Sequence, residues 1–173
     1  MGRYKVFNGP MPTTVSFAAV TTGTAIKTML QLKLGGSTNQ VGTVIEWGIS
    51  FDGSAAATPI EVELIDTSTV GATITEFVAA DIYNIGDPNA GAVTDDFPLA
   101  FTGAGDESGY TSTGEGSITT VRLLDCQFVA PTNQWVIQKP LGREWNWKAA
   151  NFLRIRVKAG AAVNAICYIE FEV

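Results

Sequence analysis

The sequence predicts an all-β fold: an antiparallel β-sandwich, jelly-roll-like, with at most one short helix. Three observations lead there. Apolar residues recur with period two in several short runs. Those runs end in clusters of Gly, Asn, Asp and Pro, residues suited to tight turns. The runs number about eight or nine, within the range of a sandwich or jelly roll.

Each run can be taken in chain order. Ile26, Leu30, Leu32 and Leu34 alternate with Lys27, Gln31 and Lys33. Gly35-Gly36-Ser37-Thr38-Asn39 then turns the chain. Ile45, Trp47, Ile49 and Phe51 alternate with Glu46, Gly48 and Ser50, and Asp52-Gly53-Ser54 closes that run. Ile60, Val62 and Leu64 alternate with Glu61 and Glu63. Pro131-Thr132-Asn133 breaks the stretch from Ile118 to Trp135. Leu153, Ile155 and Val157 alternate with Arg154, Arg156 and Lys158, and Ala159-Gly160-Ala161 leads to the last run. There Ala165, Cys167, Ile169, Phe171 and Val173 share one face. The other face carries Ile166 and Tyr168, then Glu170 and Glu172. A strand apolar on both faces is expected to be central or to be covered by another subunit.

Two stretches depart from the alternation. Thr73-Ile74-Thr75-Glu76 reads as a capping box that opens a short helix ending near Gly86. Residues 86–117 read as a long Gly-rich loop, anchored by Phe97, Leu99, Phe101 and Tyr110. Loops of this length inside a compact domain are usually functional. The domain reading is an N-terminal arm and first strand over residues 1–24, followed by one sandwich domain over 25–173.

Composition narrows the function. The chain has 173 residues, enough for one domain with a real core. Charged residues make up only 16%, against about a quarter in ordinary domains, so part of the surface is expected to be covered by other subunits or by uncharged polar groups. No Lys or Arg occurs between Lys33 and Arg122, where most of the acids lie. Such segregation points either to association between oppositely charged patches or to a set of solvated acidic loops. The net charge of -6 disfavours nucleic-acid binding. Met1 to Lys5 starts with positive charge, but no apolar core of a leader follows before Pro10 and Pro12. No apolar run approaches the ~20 residues of a membrane span. The expected product is cytoplasmic when made, or exported as part of something larger, and binds no membrane.

Chemistry is sparsely provided. Histidine is absent, which removes the commonest general base and zinc ligand. Cys126 and Cys167 are too far apart in sequence for a metal motif and are expected to be small buried hydrophobes. Asp95 with Asp96, and Asp106 with Glu107, are candidate carboxylate pairs for calcium or glycoside chemistry, and neither fits a calcium-loop pattern. Gly103-Ala104-Gly105 is a lone glycine pair without a following helix. Trp145 and Trp147 share a face if Glu144 to Lys148 is extended. They can serve as core, as interface anchors or as a sugar-stacking platform, in that order. No catalytic residue, metal or cofactor is expected, and the chain reads as a non-enzyme.

Several segments resemble small structural proteins of tailed bacteriophages. They are Val44 to Gly53, Phe128 to Gln134, Lys139 to Glu144, and Phe152 through Tyr168. The resemblance spans roughly residues 26–173, and Met1 to about Thr24 lies outside it. It implies a virion protein of the capsid decoration, or cement, type that sits on the outer capsid surface as a trimer of jelly rolls. Its partners would be itself and the major capsid protein. Ile166, Tyr168, Trp145 and Trp147 are the expected oligomer interface. Arg3, Lys5, Pro10 and Pro12, on the N-terminal arm, are the expected capsid contacts. The alternative is a host-glycan or receptor-binding module on a tail or fibre.

Overall fold

A computed structural model describes residues 2–36, 39–53, 58–87, 89, 98–101 and 107–173. Two antiparallel sheets form an all-β sandwich, as the alternation predicts. The seven-stranded sheet A contains β1 (Arg3–Phe7), β2 (Val20–Thr21), β4 (Val41–Phe51), β7 (Tyr83–Asn84), β10 (Gln134–Gln138), β11 (Trp145–Lys148) and β13 (Asn164–Glu172). Its main order is β10-β4-β13-β1-β7, with β11 also pairing β4 and β2 pairing β13. The six-stranded sheet B contains β3 (Lys27–Leu32), β5 (Ile60–Asp66), β6 (Thr73–Glu76), β8 (Gly109–Gly114), β9 (Arg122–Val129) and β12 (Leu153–Lys158), in the order β6-β8-β3-β12-β5-β9. The chain changes sheet at β2–β3, β3–β4, β4–β5, β6–β7, β7–β8, β9–β10, β11–β12 and β12–β13, so most strands that follow one another in sequence lie in opposite sheets.

The core is built from the alternating residues. Ile60, Val62 and Leu64 meet Leu153, Ile155 and Val157 on the inner face of sheet B, all at most 2% exposed. Trp47, Ile49, Cys167, Ile169 and Phe171 line the inner face of sheet A. One alternating residue is displaced. Glu170 pairs with Glu46 and Phe171 with Val44, which leaves Ile45 as the extra residue of a bulge. Val44, fully buried, takes the core place expected for Ile45.

Two expectations are corrected. Residues 73–76 form strand β6 rather than a helix, and only a single 3-10 turn, Ala79–Asp81, follows. Ile74 and Val78 lose side-chain freedom in a helix, and a place beside β8 satisfies the segment's backbone instead. The stretch 86–117 is not one loop, because it contains β8. Leu99 and Phe101 are buried there and Tyr110 packs on the core, whereas Phe97 lies outside the described residues. Within residues 1–24, where an arm and a first strand are expected, β1 sits inside sheet A between β13 and β7. Its own alternation carries that outcome, with Tyr4 and Val6 buried and Arg3, Lys5 and Phe7 on the other face. The C-terminal strand is central, between β4 and β1. No helix among the described residues is long and apolar enough to cross a membrane.

Candidate functional site

Strand registry brings four of the predicted contact residues, Arg3, Lys5, Ile166 and Tyr168, onto one surface, the outer face of sheet A. Tyr168 lies opposite Phe7 on β1 and Gly48 on β4, and Gly48 lies opposite Val136 on β10. Arg3, Lys5, Glu46, Ile166 and Glu170 share that face by the same pairings. Residues predicted separately as self contact and capsid contact are therefore neighbours.

Tyr168 is the centre. Its hydroxyl donates to Glu46 Oε1 at 2.5 Å. Lys5 Nζ sits 3.9 Å from its ring centroid, close enough for a cation–π contact. Lys5 also faces Glu170 at 3.8 Å and Glu46 at 4.0 Å, and Arg3 pairs with Glu170 at 2.5 Å. Burial, the bond to Glu46 and the charges of Glu46 and Glu170 all hold the phenol's proton and push its pKa up. Gly48 makes room for the ring, since a Cβ there would stand 2.8 Å from Tyr168 Cε1. Phe7 stacks between Tyr168 and Phe17, with centroids 5.7 and 5.6 Å away. Phe17 thereby holds the segment after β1 against the edge of the face, and Met11 N–H bonds Asp81 at 3.0 Å. Pro10, Pro12 and Val15 of that segment stay exposed. Val136 and Tyr83 add exposed apolar surface, at 46% and 55%. The surface is aromatic and apolar at its middle, where Arg3, Lys5, Glu46 and Glu170 are paired with one another, while Glu172 at its margin forms no salt bridge among the described residues. Such a surface can bind another protein without stranding a charge.

The outer face of sheet B is organised differently. Arg154 points outward from β12 yet is fully buried. Its Nε donates to Thr28 Oγ1 at 3.1 Å, and its Nη2 donates to the backbone and carboxylate of Glu115 at 3.1 and 3.0 Å. Glu115 also accepts from Thr28 N at 2.6 Å and from Ser112 Oγ at 2.6 Å. Burial lowers the Arg154 pKa to about 10 against the pull of Glu115, so it stays cationic at neutral pH. Gln31, also fully buried, donates to Glu107 O and accepts from Ala72 N. The chain's own residues 107–115 thus close the β3–β12 half of this face.

The β5–β9 half stays open. Glu61, Glu63 and Cys126 place their ligand-type atoms within 4.8 Å of one another. Arg156 already holds Glu63 Oε2 at 2.7 Å, so the group is an ion pair beside a thiol. Leu123 and Phe128 are exposed along the edge strand β9, at 56% and 74%.

The remaining predicted positions resolve as follows. Trp147 is 1% exposed and packs edge-on to Phe171, so it belongs to the core, and its side chain is not offered to a partner. Gly42 permits this, because a Cβ there would strike the indole at 2.4 Å. Trp145 is half-buried on the same inner face, with Lys139 Nζ 4.0 Å from its ring. Both cysteines are free thiols. Asp95, Asp96, Asp106 and Gly103 to Gly105 lie outside the described residues, and Glu107 pairs with Lys33 at 3.0 Å. The sequence reading missed a cleft of about 600 Å³ between β11 and the turn after β5, lined in part by Asp66, Arg122 and Lys148. Its residues are scattered from 41 to 151, so no local motif announces it.

The charge segregation also changes meaning. Arg3, Lys5, Lys33, Arg122, Arg154 and Arg156, six of the 11 basic residues, form ion pairs within the chain. For five of them the partner is an acid from the stretch that lacks basic residues, Glu46 to Glu115. The topology brings the two charge blocks together, so the pattern needs no second subunit.

No family model matches the chain, and searches of curated proteins and of solved structures return no match.

Proposed function

We propose that this chain is a non-enzymatic structural subunit of a tailed-bacteriophage virion that self-associates, as a trimer, and decorates the outer capsid surface. The observation that carries the reading is the outer face of sheet A. An aromatic centre with its charges already paired remains open there, while half of the opposite face is closed by the chain itself. The resemblance of residues 26–173 to phage structural proteins supplies the setting. On this reading Ile166, Tyr168 and Val136 meet a second copy. The exposed segment with Pro10, Pro12 and Val15 reaches the major capsid protein. Arg3 and Lys5 fix Tyr168 and Glu170 for the self contact instead of touching the capsid directly. An interface of standard size, about 1,600 Å² in total, is within reach of one sandwich face.

The test is light scattering on purified protein, followed by electron microscopy of capsids incubated with it. The wild type is expected at three times the chain mass and on the particle exterior. Tyr168→Glu is expected to be folded by circular dichroism but monomeric. A monomeric wild type, or a trimeric Tyr168→Glu protein, overturns the assignment of this face.

A further inference from the structure

We propose that the cleft between β11 and the turn after β5 binds a sugar that carries a carboxylate. This site is separate from the outer face of sheet A and does not depend on the virion reading.

Asp66 organises the cleft. It is 4% exposed and accepts from Asn151 Nδ2 at 2.9 and 3.1 Å, from Ser68 N at 3.0 Å and from Arg122 Nη2 at 3.0 Å. Its oxygens are fully used, so it fixes the wall and offers little to a ligand. Ser68 sits at φ 54°, a left-handed conformation uncommon for residues other than glycine. Strain of this kind persists where surrounding contacts over-determine it, and it gathers at binding sites.

The donors left over point to an anion. Arg122 is also tied to Asn146 O, which sets the guanidinium's direction, and its side chain is 55% exposed. Lys148, exposed on β11, forms no salt bridge among the described residues. Two cations therefore face a cleft whose lining holds one acid, already paired, in a chain of net charge -6. A carboxylate suits the planar donor fork of Arg122.

The rest of the wall points to a sugar. Ser68 and Thr120 present hydroxyls, and Asn146, whose Oδ1 accepts from Thr43 at 3.0 Å, retains its amide donors. Val41, 48% exposed, supplies the apolar strip. The indole N–H of Trp147, a residue of this wall, is buried without a hydrogen-bond partner among the described residues. A volume of about 600 Å³ lies within the usual range for small-molecule sites. A bare sulfate would use the cations and leave hydroxyls, amides and apolar strip unmatched.

The experiment is a titration of the whole chain with glucuronate, followed by amide and indole N–H resonances, with glucose and sulfate as controls. Glucuronate is expected to shift the Lys148 amide and the Trp147 indole signal saturably. Glucose and sulfate should each bind about tenfold more weakly or less. Lys148→Gln should weaken glucuronate by about tenfold at an unchanged urea midpoint, with Thr120→Val as a second, uncharged change in the same wall. No saturable shift, sulfate binding as tightly as glucuronate, or full affinity in both variants overturns the proposal. Tyr168→Glu should leave the titration unchanged, so this site and the self-association face succeed or fail independently.

Discussion

The two outer faces of the sandwich solve the same problem in opposite ways. Each has a central strand whose outward side chains would be awkward in a simple alternating sheet: Tyr168 and Ile166 on β13, Arg154 on β12. On sheet B the chain covers the awkward residue itself, with Glu115 laid over Arg154 and Thr28. On sheet A only the margin is covered, by Phe17 against Phe7, and Tyr168 stays half-exposed with its hydroxyl on Glu46. A buried cation has to be closed off within the fold, because an unpaired one would cost too much to keep. An aromatic ring can wait for a partner.

The contrast can be broken first on the closed side. Glu115→Ala strands Arg154 without its carboxylate and is expected to cost about 3–5 kcal/mol in urea unfolding. The double change Glu115→Leu with Arg154→Met should recover most of that loss, since hydrophobic replacement of a buried pair is often neutral. A loss of under about 1 kcal/mol for Glu115→Ala would mean that the closure contributes little. On the open side, Gly48→Val drives side-chain atoms into Tyr168 and Val136 and is expected to cost about 1–3 kcal/mol by overpacking. It should also lift the Tyr168 ring off Glu46 and weaken self-association more than stability.

The smallest effect is a pH dependence. The Tyr168 phenol pKa is raised above its ordinary 10.0 in the folded chain. Its contribution to stability is therefore complete below about pH 10 and is lost as pH rises further, when the unfolded chain ionises first. Tyr168→Phe removes this loss, so its urea midpoint should fall less than that of the wild type between pH 9 and pH 11. Parallel curves would show that Glu46 does not hold the phenol's proton.

The contrast between the faces was only half legible in the sequence. The phase of each strand was, because one buried side and a period of two leave little choice: Leu153, Ile155 and Val157 could only go inward. The burial of Arg154 was not, since Lys158 two places beyond Arg156 in the same outward row is exposed. What separates them is a segment some forty residues earlier in the chain, and no local pattern says where that segment lands. Tyr4 and Val6 carry the alternation of the first strand expected at the N-terminus, but nothing local says that β13 is its neighbour. The block of acids without basic residues looked like a surface for association. It proved to be one half of a set of ion pairs closed by topology, as Arg122 with Asp66 and Arg156 with Glu63 illustrate. The cleft around Asp66 could not be foreseen, because it exists only where β5, β11 and residues 120–122 converge.

The pairing of β1 with β13 joins residues 3–7 to residues 168–172, and Gly2 and Val173 exchange two backbone hydrogen bonds. β1 is made well before β13, so one side of it must wait for that neighbour even though β7 can take the other. Sheet A, with its centre formed by β13, cannot be completed until synthesis of these residues is finished. Contacts at such separation fold slowly, on the millisecond-to-second scale of β-sandwiches. Until then the nascent chain holds one edge of β1 and one edge of β4 open to solvent, and it is in that interval, rather than in the finished sandwich, that aggregation competes most strongly with folding.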